Sequence, residues 1–144
     1  MSIEVVAIKT KDELQTAFDI RVVVFVEEQK VPIREELDQF EDESVHLLGF
    51  YDSVPCATCR WRFTNNGAIL ERFAVLKEFR GQKIGSALVT ACIESIENHP
   101  EYTDQVMYLN AQLEAIPLYA KHGFQGDGEL FFECDIKHQK MIRK

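Results

Sequence analysis

Apolar residues fall along the chain in two periodicities. Ile3 to Ile8 alternates loosely with polar positions, the period of two that marks a strand with one buried face. Leu14, Ala17, Phe18, Arg21, Val22 and Phe25 then recur at helical spacing. They follow Thr10-Lys-Asp-Glu13, a capping-box pattern in which the Thr and Glu side chains satisfy each other's free amides. The predicted helix runs to about Val26. Glu27 to Glu43 is polar and acidic, contains Pro32 and shows little periodicity. Strand patterns resume over Val45 to Tyr51 and Cys56 to Phe63, joined by the turn pair Asp52-Ser53. Asn65-Asn66-Gly67 supplies a second hairpin signal, because Asn and Gly tolerate the positive φ of such turns, and leads into a strand from Ala68 to Val75.

Beyond residue 80 the helical period takes over. Ile84, Leu88, Val89, Cys92, Ile93 and Ile96 predict a helix over Gly85 to Ile96, ended by Asn98-His99-Pro100. Val106 to Asn110 reads as a short strand. Leu113 to His122 reads as a helix stopped by Gly123 in a left-handed C-cap position, and Glu129 to Ile136 as a final strand. The order is β-α-β-β-β-α-β-α-β. Without repeats, low-complexity tracts or linkers, this predicts one mixed α/β (α+β) domain over residues 1–144 with a largely antiparallel sheet.

Composition narrows the function. A chain of 144 residues, 46% apolar and 28% charged, holds one substantial core. Its longest aliphatic and aromatic run, Val22 to Val26, falls far short of the ~20 residues of a membrane-spanning helix. Sixteen basic against 24 acidic residues give a net charge of −8, which argues against nucleic-acid binding. Met1-Ser2-Ile3-Glu4 lacks a basic secretory n-region, so a cytoplasmic location is expected. Cys56-Ala-Thr-Cys59 has redox or zinc spacing, but it lies in a predicted strand, where residues three apart point to opposite faces. No second such pair or His-x3-His completes a metal site, so Cys56, Cys59, Cys92 and Cys134 are expected to be reduced and no metal is expected. His46 reads as a structural histidine, and His99 and His122 as helix-end residues.

The densest chemistry lies between Leu70 and Leu88. A strand enters a short turn carrying Arg80, Gly81 and Gly85 and passes directly into a helix. Glycines let the backbone curl so that several amides converge, and the helix N-terminus adds its free N–H groups and dipole, which together suit a phosphate or pyrophosphate. From Arg72 to Lys83 four bases meet one acid, a local +3. The glycine patterns of nucleotide hydrolases and dinucleotide dehydrogenases are both absent.

Arg80-Gly-Gln-Lys-Ile-Gly85 resembles the Gln/Arg-x-x-Gly-x-Gly/Ala signature of the GNAT superfamily of acetyl-CoA-dependent N-acyltransferases. Arg72-Phe-Ala-Val75 is similar to that family's pantetheine-binding strand. Leu109-Asn-Ala and Ala115-Ile-Pro-Leu-Tyr119-Ala-Lys-His-Gly123-Phe124 resemble its later motif, with a Tyr four residues before Gly-Phe. Lys83 departs from the signature by standing at its first glycine; with an ordinary φ its amide would still serve a phosphate, and its ammonium would add a contact. Val24 to Pro32, Glu36-x-Asp38 and His138-x-x-Met141 look like a YjcF- or ElaA-like bacterial branch. Phe25-Val-Glu-Glu28 also resembles acyl-homoserine-lactone synthases, which share the fold on a usually longer chain.

The resemblance implies a mixed, mostly antiparallel sheet of about six to seven strands, splayed between the fourth and fifth, with helices on both faces. It implies acetyl transfer from acetyl-CoA to a primary amine of a small molecule or peptide by a monomer or homodimer. A non-catalytic acyl-CoA sensor on the same fold is the alternative. Coenzyme A would contact Arg80, Gly81, Gln82, Lys83, Ile84, Gly85 and Ser86 through its pyrophosphate. Its pantetheine would pair with Phe73, Ala74 and Val75, with Asn110 and Pro117 nearby. Tyr119 takes the general-acid position, since a phenol of pKa ~10 stays protonated at neutral pH. Glu71, near the end of the cofactor strand, is the candidate base. Glu28, Glu36, Asp38 and His138 are candidates for the acceptor site, the three acids coming from a segment where eight acids meet two bases.

Overall fold

The computed structural model describes residues 2–143; Met1 and Lys144, the ends of the expected 1–144 domain, lie outside the described residues. β1 (Ile3–Ala7) leads to α1 (Lys11–Arg21), capped as its sequence requires. The Thr10 hydroxyl accepts from the Glu13 amide at 3.1 Å while Glu13 Oε1 accepts from the Thr10 amide at 3.0 Å. α1 then widens into a π-helical segment, Val22–Glu28, so the helical path continues past Val26. Its run of β-branched valines is ill-suited to a regular α-helix. A single turn, α2 (Ile33–Glu36), interrupts the acidic stretch that follows.

β2 (Val45–Tyr51), β3 (Val54–Thr64) and β4 (Gly67–Val75) form an antiparallel meander. Asp52 and Ser53 have φ of +48° and +71°, the left-handed pair that a two-residue hairpin turn uses. The next turn works differently. Neither Asn65 nor Asn66 takes a positive φ; Gly67 does, at +137°, and a Cβ there would stand 2.1 Å from the Val106 carbonyl oxygen. Close approach to the neighbouring chain demands this glycine.

α3 (Ile84–Glu97) crosses over to β5 (Met107–Gln112), which runs parallel to β4. α4 (Ile116–Ala120), β6 (Phe124–Gly126), β7 (Phe131–Glu133) and β8 (Ile136–Arg143) complete the chain. The sheet order is β1-β2-β3-β4-β5-β8-β6, with β7 paired to β8. Its eight strands exceed the six or seven expected because Phe124–Gly126 forms a strand of its own and Glu129 to Ile136 is not one strand. The chain reverses at Cys134-Asp135, with φ of +50° and +62°, and the long strand is β8. That strand was hidden because polar residues occupy most of its length, and a Cys-Asp pair is a weak turn signal.

Helices cover both faces. α3 packs over Leu47, Trp61, Leu70, Leu109 and Met141; α1 and the π segment place Ile20 and Val24 against Leu48 and Ala74. Cys56 and Cys59 correct the face argument, since both join the α3-side core with Cys92. A register shift between Gly49 and Phe50 gives β3 an extra residue opposite β2 and resets the alternation. All four thiols are free. Among the described residues no helix is long and apolar enough to cross a membrane.

Two irregularities prepare the site. β4 and β5 pair only at Ala68–Met107, Ile69–Tyr108 and Leu70–Leu109, then separate. Opposite β3, pairing passes from Thr58–Ala74 to Arg60–Glu71, so β4 carries an extra residue, and Arg72 lies there at φ +57°. The bulge reverses the alternation: Ala68 and Leu70 face α3 before it, Phe73 and Val75 after it.

Candidate active site

The turn before α3 has the form of an anion nest. Gly81 is at φ +83°, where a Cβ would meet nothing within 4 Å. Lys83 N-caps α3 at φ +67°, ψ 16°, with no side-chain capping bond. The ordinary φ assumed for this lysine is therefore absent: it keeps the left-handed shape natural to glycine, at a cost of about 1–2 kcal/mol for an L-residue. The first helical donor is the Ala87 amide, to Lys83 O at 3.2 Å, which leaves the amides of Ile84, Gly85 and Ser86 without helical partners. Gly85 serves packing, since its Cβ would lie 3.3 Å from Leu118 Cδ2 of α4.

The side chains at this turn are differently engaged. Ile84 is buried in the core, so its side chain is turned away from the surface of the turn. Ser86 Oγ and His122 Nε2 are hydrogen-bonded at 2.9 Å, and Gln82 Oε1 accepts from the Tyr51 hydroxyl at 3.5 Å. Arg80 Nε donates to the Val75 carbonyl at 2.9 Å, and its guanidinium holds Glu28 bidentately at 2.6 and 2.7 Å.

Where β4 and β5 part, a cleft of about 360 Å³ opens beside Phe73, Leu109, Asn110, Ala115 and Tyr119. Tyr119 is 7% exposed, with the rings of Phe73 and Phe124 edge-on at 5.6 and 6.2 Å. Burial raises its phenol above the ordinary value of 10, so the group stays protonated at neutral pH. Ala74 points to the α1 side, and Pro117 opens α4 at an exposed position outside the cleft lining.

The opposite wall is a charge network. Arg21 Nε donates to Glu36 Oε2 at 2.7 Å, and its terminal nitrogens donate to Glu41 at 2.9 and 2.7 Å. Arg60 holds Asp38 bidentately at 2.9 and 2.7 Å and donates from Nε to Glu71 Oε2 at 2.9 Å. Arg62 Nε donates to the same Glu71 oxygen at 3.1 Å, with its guanidinium 3.6 Å from the Phe40 ring centre. Arg72 bridges Glu36 and Asp38 at 3.2 Å. Four guanidiniums thus meet four carboxylates. Burial works against charge at Asp38, but the Arg60 hydrogen bonds, the Phe40 amide and the charges of Arg60 and Arg72 outweigh it, bringing the carboxyl to about 2. Glu41 reaches about 2 in the same way, burial being outweighed by Arg21 and Arg60. Glu36 Oε1 is buried without a hydrogen-bond partner.

The three acids singled out as acceptor-site candidates are all drawn into ion pairs. Glu28 is outside the cleft lining and belongs to Arg80. Glu36, Asp38 and Glu71 line the cleft, but guanidiniums already hold them. His46 is buried, with Nε2 2.8 Å from the Glu41 carbonyl; burial lowers its pKa and keeps it neutral. His99 packs edge-on to Trp61 and Phe63.

His138 and Asn110 both line the cleft. Two lining carboxylates make no ion pair among the described residues: Glu35 on α2 and Glu133 at the end of β7. Neither was picked out from sequence. The clue for Glu133 was the Cys134-Asp135 turn, which brings it back to the cleft; nothing local distinguishes Glu35 from its neighbours.

A family model described as an acetyltransferase (GNAT) domain matches residues 13–144. Among curated proteins, the chain is 35% identical to "Uncharacterized N-acetyltransferase YjcF" of Bacillus subtilis (strain 168), over 94% of this chain and 95% of that protein. The crystal structure of Escherichia coli ElaA superposes with a TM-score of 0.87 at 25% identity, covering 99% of this chain and 100% of that one. An acyl-CoA N-acyltransferase from Pseudomonas aeruginosa gives 0.86 at 27% identity, again over 99% and 100%.

Proposed function

The chain belongs to the GNAT acetyltransferase family, and from that premise we propose that it moves an acetyl group from acetyl-CoA to a primary amine of a small molecule or peptide. The observation that carries the reading is a protonated, buried phenol at the head of a cleft opened by two parting strands. The unpartnered amides at the start of α3 suit the pyrophosphate of coenzyme A, assisted by Lys83. Past the β4–β5 separation, β4 offers its backbone to the pantetheine arm, which enters as an added strand. For that, Arg80 exchanges the Val75 carbonyl and Glu28 for the incoming donor.

The amine nitrogen attacks the thioester carbon directly. A C–N bond forms, the oxyanion collapses and the C–S bond breaks. Tyr119 donates its proton to the departing thiolate, and the proton leaving the adduct nitrogen restores the phenol directly or through solvent. Asn110 orients the acceptor at the same end of the cleft. Glu71 holds Arg60 and Arg62 in place. Because Glu36 and Asp38 are neutralised, the free charge for a cationic acceptor comes from Glu35 and Glu133, which supports an acceptor carrying a positive group beyond the reacting nitrogen.

Thiol release from acetyl-CoA with polyamines, aminosugars, amino acids and peptides tests the reading. Tyr119→Phe is expected to lose about 10²- to 10⁴-fold in kcat and keep CoA-induced thermal stabilisation. Full activity in that variant would remove the general-acid role. CoA binding without turnover on any amine would favour a sensor.

A further inference from the structure

We propose that His138, through Nε2, is the base that deprotonates the acceptor ammonium; this rests on the acetyl-transfer reading above. His138 is 6% exposed, on β8, with its ring stacked on Phe131 at a centroid distance of 5.7 Å and an interplanar angle of 22°. Nδ1 lies 2.6 Å from the Ile136 carbonyl oxygen. A carbonyl only accepts, so Nδ1 carries a proton, and of the two tautomers the contact selects the one whose lone pair is on Nε2. Nε2 has no protein partner among the described residues. The one unpartnered buried side-chain polar atom there is Glu36 Oε1, so Nε2 is not sealed off, and His138 lines the cleft. An imidazole oriented by its Nδ1 contact, with Nε2 open to the cavity, is placed to accept a proton from a donor there.

Register places it where the chemistry needs it. Leu109, Ala111 and Met141 face the α3-side core, as Tyr119 does. His138 pairs with Gln112 and lies diagonally from Asn110, so these three share the other face of the sheet. Acid and base therefore reach the cleft from opposite faces of the sheet. Direct attack has the same polarity, with the thiolate leaving on one side and the amine arriving on the other. Glu71 shares the acceptor face, but two guanidiniums hold it as a counter-ion.

The protons balance. R–NH₃⁺ gives one proton to Nε2, the neutral amine attacks, and the imidazolium returns that proton to solvent after each turnover. The charged groups lining the cleft around it are Glu35, Glu36, Asp38, Arg62, Glu71, Arg72 and Glu133, and Lys140 shares its face of β8.

The test is kcat/KM against pH for wild type and His138→Gln, with acetyl-CoA and the best amine of the panel. At pH 7 the variant should lose about 10²- to 10⁴-fold. The deficit should shrink as pH rises and the amine deprotonates itself, a recovery that a packing role would not produce. CoA alone should still stabilise the variant thermally; if it does not fold, His138→Asn replaces it. Glu71→Gln should lower the rate but keep the wild-type limb. A His138 variant within threefold of wild type at pH 7 with an unchanged profile overturns the proposal, as does loss of the limb in Glu71→Gln. No turnover by wild type on any amine overturns the acetyl-transfer reading itself.

Discussion

The turn before α3 and the charged wall across the cleft are built from different materials. At the turn the groups on offer are backbone amides, fixed by Gly81, Lys83 and the start of a helix within a few residues of one another. At the wall they are side chains held by partners 9 to 36 residues away, on α1, α2 and the segment after it, β3 and β4. The first can be disturbed locally, with effects that stay small and close to the turn. The second is a closed set of charges in which removing one member strands the others.

Arg60→Met should give the largest effect. Asp38, Glu41 and Glu71 would lose their shared cation, and breaking a buried pair costs about 3–5 kcal/mol. Urea unfolding measures it, and a loss under about 1 kcal/mol would show that the wall is loosely coupled.

Acid should open the same wall more gradually. The folded carboxyls of Asp38 and Glu41 lie near 2, below the ordinary 3.8 and 4.5. A depressed folded pKa gives stabilisation that is complete above the unfolded value and fades as pH falls through the folded one. Stability should therefore decline between about pH 4.5 and 2. Glu41→Gln should flatten part of that decline while lowering stability at pH 7.

Lys83→Gly should produce the smallest change, of opposite sign. It relieves a left-handed L-residue at about 1–2 kcal/mol and adds glycine's chain entropy, for a net gain of about 0.5–1 kcal/mol. Calorimetry gives the gain, and CoA titration shows whether the lysine ammonium contributes to donor affinity. A loss of stability would mean that the side chain makes a contact outweighing the strain.

The contrast also explains what sequence could disclose. The Thr10–Glu13 cap, the Asp52-Ser53 turn, Gly123 and the amide nest are short-range features, and the residues that make them are neighbours in the chain. The state of Glu36 or Asp38 is not. Whether a carboxylate is free depends on which arginine the fold delivers, and Arg60 and Arg72 come from strands beyond the acidic segment. β8 was missed because His138 and Lys140, on one face of it, break the apolar alternation that marks a strand. Arg72 stayed hidden as a bulge because neither glycine nor asparagine marks its positive φ.

The parting of β4 from β5 also bears on solubility. Past Leu70, β4 has a free edge in the middle of the sheet. At an outer border, such an edge is a template onto which foreign chains add and aggregates grow. Here β5 and β8 stand beyond it and close off the far side. One extended molecule can enter and be paired, but it has nothing to hand on to a second. The fold thus keeps the appetite of an unpaired strand while making polymer growth from it geometrically impossible.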